Sequence, residues 1–302
     1  MSNPPTSKRH HYRPQVHLRH FADKTERIYC YDALTSKCFV TDIINVGIEG
    51  RLYAITNDPS VAEDAFEKWL ATYVDGPVGD AFKNVVNRSQ TFVDVDRIAI
   101  ARFAVAQIFR TPDMKATFLD EARRAMRDNM YMLKADAKQA MGATSSEEEI
   151  AAVDNLTVSV NDEAWLDVIA KGVAKHTETV FNMVWSVVEA PPHFEWISND
   201  HGLVRLGNIE LEPLPLAKNV KHGSPSVFLP VSDRFGIAMM RDDRSISQRN
   251  FSQWARKVNR MLVYDAQRFV YSKSFQPFVL KNCRLRDAES RSQYANEVDS
   301  NS

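Results

Sequence analysis

A chain of 302 residues, 44% hydrophobic and 25% charged, has the make-up of one large or two modest globular domains and the length to bury a sizeable core. With 38 basic against 39 acidic residues the formal charge is -1, which excludes a global pull toward nucleic acid or acidic membrane and leaves any anion binding to a local patch. Three cysteines, Cys30, Cys38 and Cys283, are too few for a secreted disulfide scaffold and lack the close-spaced pairs of a zinc site, so they read as reduced thiols.

Residues 1–7, MSNPPTS, read as a disordered lead-in, and MSNPPTSKRHHYRP has no apolar stretch behind its basic residues to make a signal peptide. No apolar run approaches the ~18–20 residues needed to span a bilayer, so a soluble, cytoplasmic protein with no membrane partner is expected. Pro14 then sits where a first helical turn can begin, with Leu18 and Phe21 on its buried side. ERIYCYDALTSKCFVTDIINV is rich in β-branched and aromatic residues around a polar Thr35-Ser36-Lys37 turn, which argues a hairpin.

From about residue 60 the period becomes helical. Val61, Ala65 and Trp69 form one stripe, and Gly76-Pro77 supplies a stop. DVDRIAIARFAVAQIFRTP is a second helix, interrupted by Pro112, with Thr111 placed to cap its successor. That successor carries Leu119, Ala122, Met126, Met130 and Leu133 at steps of three and four, a methionine stripe that reads as core filling. ATSSEEEIAAVDN is a loop or short helix whose Glu147–Glu149 run is a solvated face. Asn161 or Asp162 caps a further helix expected to run from DEAWLD through VWSVVEA to Pro191-Pro192. Short strands follow in FEWIS, LVRLG, SVFLPV and FGIAMM, then a last helix, SQRNFSQWARKVNRMLVYDAQ, and the strand RFVYS. The polar tail, 286–302, reads as disordered. Strands at both ends with long helices between them predict an α+β fold: one domain over 8–285, long central helices packed on a small mixed sheet formed by N- and C-terminal strands.

Four separated segments carry a resemblance. HHYRPQVHLRHFAD followed by RIYCYD matches an HHY-x-PQ-x-x-LR-x-F opening with an adjacent strand, and AQIFRTP matches a Q-x-x-RTP helix end. WISNDHGLV resembles a strand ending in a T-S-D-N-P turn, and VFLPVS with RFVYS resembles closing F-P-L-S and F-V-Y-S strands. In this order they resemble the bacterial domain of unknown function 4238 family, from His10 to about Ser272. The resemblance implies a one-domain protein with a helical middle and a mixed sheet, and no established activity. This chain departs from the pattern at Ser198-Asn199-Asp200-His201-Gly202, with no serine before the aspartate and no proline after it, and at Ser232-Asp233 in the closing motif.

Four of the eight histidines lie in KRHHYRPQVHLRHF. Adjacent His10 and His11 point different ways in extended backbone and cannot both ligate one ion. His17 and His20 share a helical face at a spacing able to hold one metal, but with no third ligand or HExxH pattern they read as surface histidines. Gln15 and Arg19, four apart, project together with His11 near a helix start, where free N–H groups and the dipole favour a phosphate or carboxylate. The other reading of that trio has His11 capping the turn and Arg19 paired with a structural carboxylate. Gln107 and Arg110 share a face of an otherwise apolar helix, so Arg110 is either the internal partner of Asp200 or an anion clamp.

Two functions from different classes are then open. One is a metal-assisted hydrolase of phosphoester or nucleic-acid bonds, using Mg²⁺ or Mn²⁺, with His10, His11, Arg110 and Asp200 catalytic and Gln15, Arg19 and Gln107 on the substrate. The other is a non-catalytic module that binds an anion or a partner, in which the same residues are structural. Nucleic acid or a phosphorylated small molecule is the expected partner. The enzyme requires these side chains to converge on one solvent-accessible hollow.

Overall fold

The computed structural model describes residues 9–88, 92–140, 146–157, 159–161, 163–206, 226–240 and 251–284; the expected lead-in 1–7 and tail 286–302 lie outside these. The chain opens with β1 (Arg9–His11), the single turn α1 (Gln15–Leu18), β2 (Arg27–Asp32), β3 (Lys37–Asp42) and β4 (Ile48–Gly50). Helices follow: α2 (Ala65–Leu70), a π-helical turn (Ala71–Asp75), α3 (Gly76–Arg88), α4 (Asp94–Phe109), α5 (Pro112–Ala140), α6 (Glu147–Asp154) and α7 (Ala164–Phe181). The last part holds β5 (Val184–Glu189), β6 (Ser198–Asn199), β7 (Val204–Leu206), β8 (Ser226–Pro230), β9 (Phe235–Met240), α8 (Phe251–Asp265) and β10 (Phe269–Ser272). The α+β class holds, and among the described residues no helix is long and apolar enough to cross a membrane.

N- and C-terminal strands do meet in one sheet, of order β3-β2-β10-β6, with Tyr31 opposite Val270 and Cys30 opposite Tyr271. It is antiparallel throughout rather than mixed: β2 and β3 are joined by a hairpin, while β10, reached only after the helical middle and α8, runs opposite to both its neighbours, β2 and β6. A second antiparallel sheet, β5-β9-β8-β7, and a two-stranded pair, β1-β4, complete the set. The hairpin turn between β2 and β3 places Ser36 at φ 53, and Asp32 Oδ1 accepts the Leu34 and Thr35 amides at 2.9 and 3.2 Å.

The larger core gathers α4 at its centre, with Ile100, Phe103, Ala104 and Val105 buried against α3 and α7. A helix this apolar on all sides belongs inside a protein. The smaller core lies where α8 packs with both four-stranded sheets: Val258, Leu262, Trp196, Phe228 and Val270 are fully buried.

The structure corrects three of the expected elements. Gly76-Pro77 opens α3 and does not stop the preceding helix; Gly76 is helical at φ -63, ψ -58, and the wider π-turn before it accommodates a Pro77 with no N–H to give. VWSVVEA leaves the helix at Phe181 and becomes β5, since its valines and tryptophan fit a pleated strand paired to β9. The methionine stripe on α5 is not core filling: Leu119 is the buried residue of that helix, and Met126 and Leu133 are 38% and 61% exposed.

Candidate functional site

The basic opening segment folds inward. β1 carries His10 under the chain, where its ring stacks on Tyr53 at 5.6 Å and its Nδ1 accepts the Tyr53 amide at 2.8 Å. That bond leaves the proton on Nε2, which lies 3.5 Å from Glu67 Oε2. One turn on, Arg13 is fully buried. Its Nη1 donates to Gln107 Oε1 at 2.5 Å, and its Nη2 meets His17 Nδ1 at 2.5 Å and donates to Ser198 Oγ at 3.1 Å. The guanidinium lies flat against Gly202, where a Cβ would come within 1.8 Å of Nη1, and its stem passes Gly47, where a Cβ would come within 2.3 Å of the Arg13 Cβ. Both glycines hold positive φ, 78 and 63, so these turns require glycine twice over. Burial brings the Arg13 guanidinium down to about 10, still charged at neutral pH.

His17 is also core, not surface. Its ring is fully buried, edge-on to Phe21 and Phe103, with Nε2 2.6 Å from the Pro230 carbonyl. Both ring nitrogens are engaged, so the metal spacing with His20 has no free donor at position 17.

Arg110 lies inside as well, and its partner is not Asp200. Its Nη1 meets Asp75 Oδ1 at 2.8 Å and its Nε donates to the Tyr12 carbonyl at 2.8 Å, while its own carbonyl accepts Tyr53 Oη at 2.9 Å. Asp75 ends the π-helical turn, the irregularity that delivers it to the end of α4. Asp200, 1% exposed, has both oxygens taken: Oδ1 accepts the Gln267 amide at 2.8 Å, and Oδ2 the Arg268 and Phe269 amides at 2.6 and 2.8 Å. It is the clasp that starts β10. Gln15 donates to His11 at 3.2 Å, with His11 half-buried, and Arg19 is a surface residue paired with Glu26 at 2.6 Å.

The expected convergence on an open hollow therefore does not occur. His10, Gln107, Arg110 and Asp200 are sealed beneath packed side chains, because each finds its hydrogen-bond partner inside, while Arg19 faces away into solvent. Surface hollows of about 390 and 190 Å³ are lined by other residues, the first around Phe275 and Leu280, the second around Arg51, Lys115 and Glu163. Among the described residues no three His, Cys, Asp or Glu side chains gather as a metal-ion site, so the expected Mg²⁺ or Mn²⁺ finds no fitting donor set there.

Sequence reasoning missed two members of this network. Arg13 falls on the unspecified position of HHY-x-PQ, and Asp75 stands just before Gly76-Pro77, the pair read as a helix stop that does not stop. Neither carries a local signal, since what marks Arg13 is the pair of distant glycines that yield to it.

One group of atoms in this interior lacks acceptors. Arg13 Nε, Gln107 Nε2, Arg110 Nη2 and Thr111 Oγ1 are buried with no hydrogen-bond partner among the described residues, as are Asp113 Oδ1, Trp196 Nε1 and Tyr271 Oη. Gln107, Arg110 and Thr111 share a face at the end of α4, and Arg13 is already bonded to Gln107. Two guanidinium charges within electrostatic reach of one another thus have a single carboxylate, Asp75, in direct contact.

The buried histidines give the fold a pH dependence. Burial, reinforced by the Arg13 charge, holds His17 well below the ordinary imidazole range, and burial also lowers His11 and His20. These groups bind fewer protons folded than unfolded. Stability is therefore level above the unfolded value of about 6.5 and falls as pH drops below it, by up to about 1.4 kcal/mol per pH unit for the fully buried His17. Urea unfolding at pH 7.5 and 5.5 should show that loss. His17→Gln, which keeps an acceptor for Arg13 and a donor for Pro230, should have a shallower dependence; an unchanged slope would assign it to other groups.

No curated protein and no solved structure matches this chain. A family model does, over residues 9–275, which takes in β1 through β10 and every residue of the buried network. The chain belongs to the family described as Protein of unknown function (DUF4238).

Proposed function

We propose that this chain is a non-catalytic binding module that holds a small oxyanion, phosphate or carboxylate in class, between Arg13, Gln107, Arg110 and Thr111. The observation that carries the reading is the set of four buried donors without acceptors among the described residues, two of them on the guanidinium groups of Arg13 and Arg110, of which Arg110 alone contacts a carboxylate, Asp75. Buried donors left unmet cost about 1–3 kcal/mol each, more when charged, and an oxyanion offers acceptors on several sides at once. Asp75, 23% exposed, pairs with Arg110, and the half-buried His11 lies within electrostatic reach of both. The hydrolase reading needs a free carboxylate for acid–base work, and Asp200 has both oxygens committed to backbone amides.

Calorimetric melting in phosphate against chloride at matched ionic strength tests the proposal. Phosphate at a hundred times its dissociation constant should add about 2.7 kcal/mol of stability to the unmutated protein. Gln107→Glu places a carboxylate beside Arg13 and should abolish the response while leaving the fold intact; Thr111→Val should weaken it. Equal melting in phosphate, citrate and chloride would remove the reading. Metal-dependent turnover of nucleotides that disappears in Asp200→Asn would replace it with the hydrolase.

A further inference from the structure

We propose that α5 and α6 form an arm through which two copies of this chain associate. Beyond Leu119 no residue of α5 is buried, and the helix carries four consecutive apolar residues, Met130-Tyr131-Met132-Leu133. At 100° per residue such a run covers every side of the helix, and Tyr131, Met132 and Leu133 are 79%, 63% and 61% exposed. Beyond the buried Leu119, Met126, Leu133 and Ala140 recur every seven residues, the repeat of a helix–helix seam.

α6 covers only one flank. Lys134 Nζ donates to the Asp154 carbonyl at 2.6 Å and Lys138 Nζ pairs with the Asp154 carboxylate at 2.6 Å, so α6 lies on the lysine side, about a third of a turn round from the seam. α6 leaves apolar surface of its own, with Ile150 40% exposed and Leu156 just beyond it 53% exposed. A hairpin of two helices that shows an open apolar face is completed by a second hairpin, giving a four-helix bundle about a two-fold axis.

The charge pattern selects the occupant. On α5 Asp120 and Glu121 precede Arg123, Arg124 and Arg127, with Asp128 after them, and α6 opens with Glu147–Glu149, so the arm carries basic and acidic groups together. An anionic bilayer or a nucleic acid gains nothing from such a surface, whereas a second copy offers both signs in return. Met126, Tyr131, Met132 and Leu133 on α5, with Ile150 and Leu156 at α6, are the exposed apolar side chains that such an interface would cover.

Sedimentation velocity over a concentration series, with melting temperature measured in parallel, tests this. The unmutated chain should sediment at twice 34.4 kDa. Met132→Glu/Leu133→Glu and, separately, Met126→Glu should halve that mass without loss of secondary structure, and Leu34→Glu, an equally exposed site on the β2–β3 turn, should leave it doubled. A chain that remains at 34.4 kDa at high micromolar concentration overturns the proposal, as does a dimer that survives both arm variants. A monomer that co-sediments with phosphatidylcholine vesicles would also overturn it, assigning the apolar girdle to lipid.

Discussion

Asp200→Asn should unfold at markedly lower denaturant, with a loss of about 3 kcal/mol. The carboxylate accepts three backbone amides, from Gln267, Arg268 and Phe269, and hydrogen bonds to a charged acceptor are worth about 1.5–3 kcal/mol each. Asparagine keeps one oxygen and turns an amide toward at least one N–H it should accept from, so replacement costs more than a simple deletion. Equilibrium urea unfolding followed by tryptophan fluorescence measures this directly, and Trp196 in the adjacent core is well placed to report it. A catalytic aspartate gives the opposite pattern: removal usually leaves stability unchanged or raised, because an active site holds its charge against the preference of the fold. Unaltered stability in the variant would mean that the three amides find other acceptors and that the clasp is not what orders the start of β10.

Arg13→Met should be the more damaging change, at about 3–5 kcal/mol. Methionine fills much of the stem but leaves Gln107 Oε1, His17 Nδ1 and Ser198 Oγ without their shared donor in a fully buried space. Arg13→Lys should recover little, since one ammonium on a flexible stem cannot replace a planar fork spread over three acceptors. Gly202→Ala approaches the same contact from the other side: its new methyl would lie 1.8 Å from Arg13 Nη1, on backbone held at φ 78. Thermal melts of the three variants should place Arg13→Met and Gly202→Ala together, well below the unmutated chain. A mild Gly202→Ala would show that the guanidinium can move aside.

Much of the fold was legible because local chemistry and final structure agree. The hairpin β2–β3, the break between α4 and α5 at Pro112 and the closing strand β10 each carry their own signal in turn residues, proline or β-branched runs. What failed was whatever a distant segment decides. VWSVVEA is apolar enough for either period, and only pairing with β9 makes it a strand. Gly76-Pro77 reads as a stop until a π-turn absorbs it. The stripe on α5 has the spacing of a core helix, and nothing within a helix says whether its apolar side has a partner in the same chain.

The site divides in the same way. The polar positions of the family pattern could be named, but burial was not readable from residue type, and Arg110, read as the partner of Asp200 or an anion clamp, pairs with Asp75. A histidine that ligates and a histidine that holds two neighbours look alike in a one-dimensional string.

The sheet order β3-β2-β10-β6 has a consequence for how the protein is made. Asp32 and Arg268, bonded across that sheet, are 236 residues apart in the chain. On the ribosome β2 emerges early and waits for almost the whole of translation before β10 can slot between it and β6. Until then two strand edges stand open, the condition under which nascent chains pair wrongly and attract chaperones. A message truncated before the codon for Phe269 would yield helices that can still form beside a sheet missing an inner strand, a product suited to quality control and not to refolding.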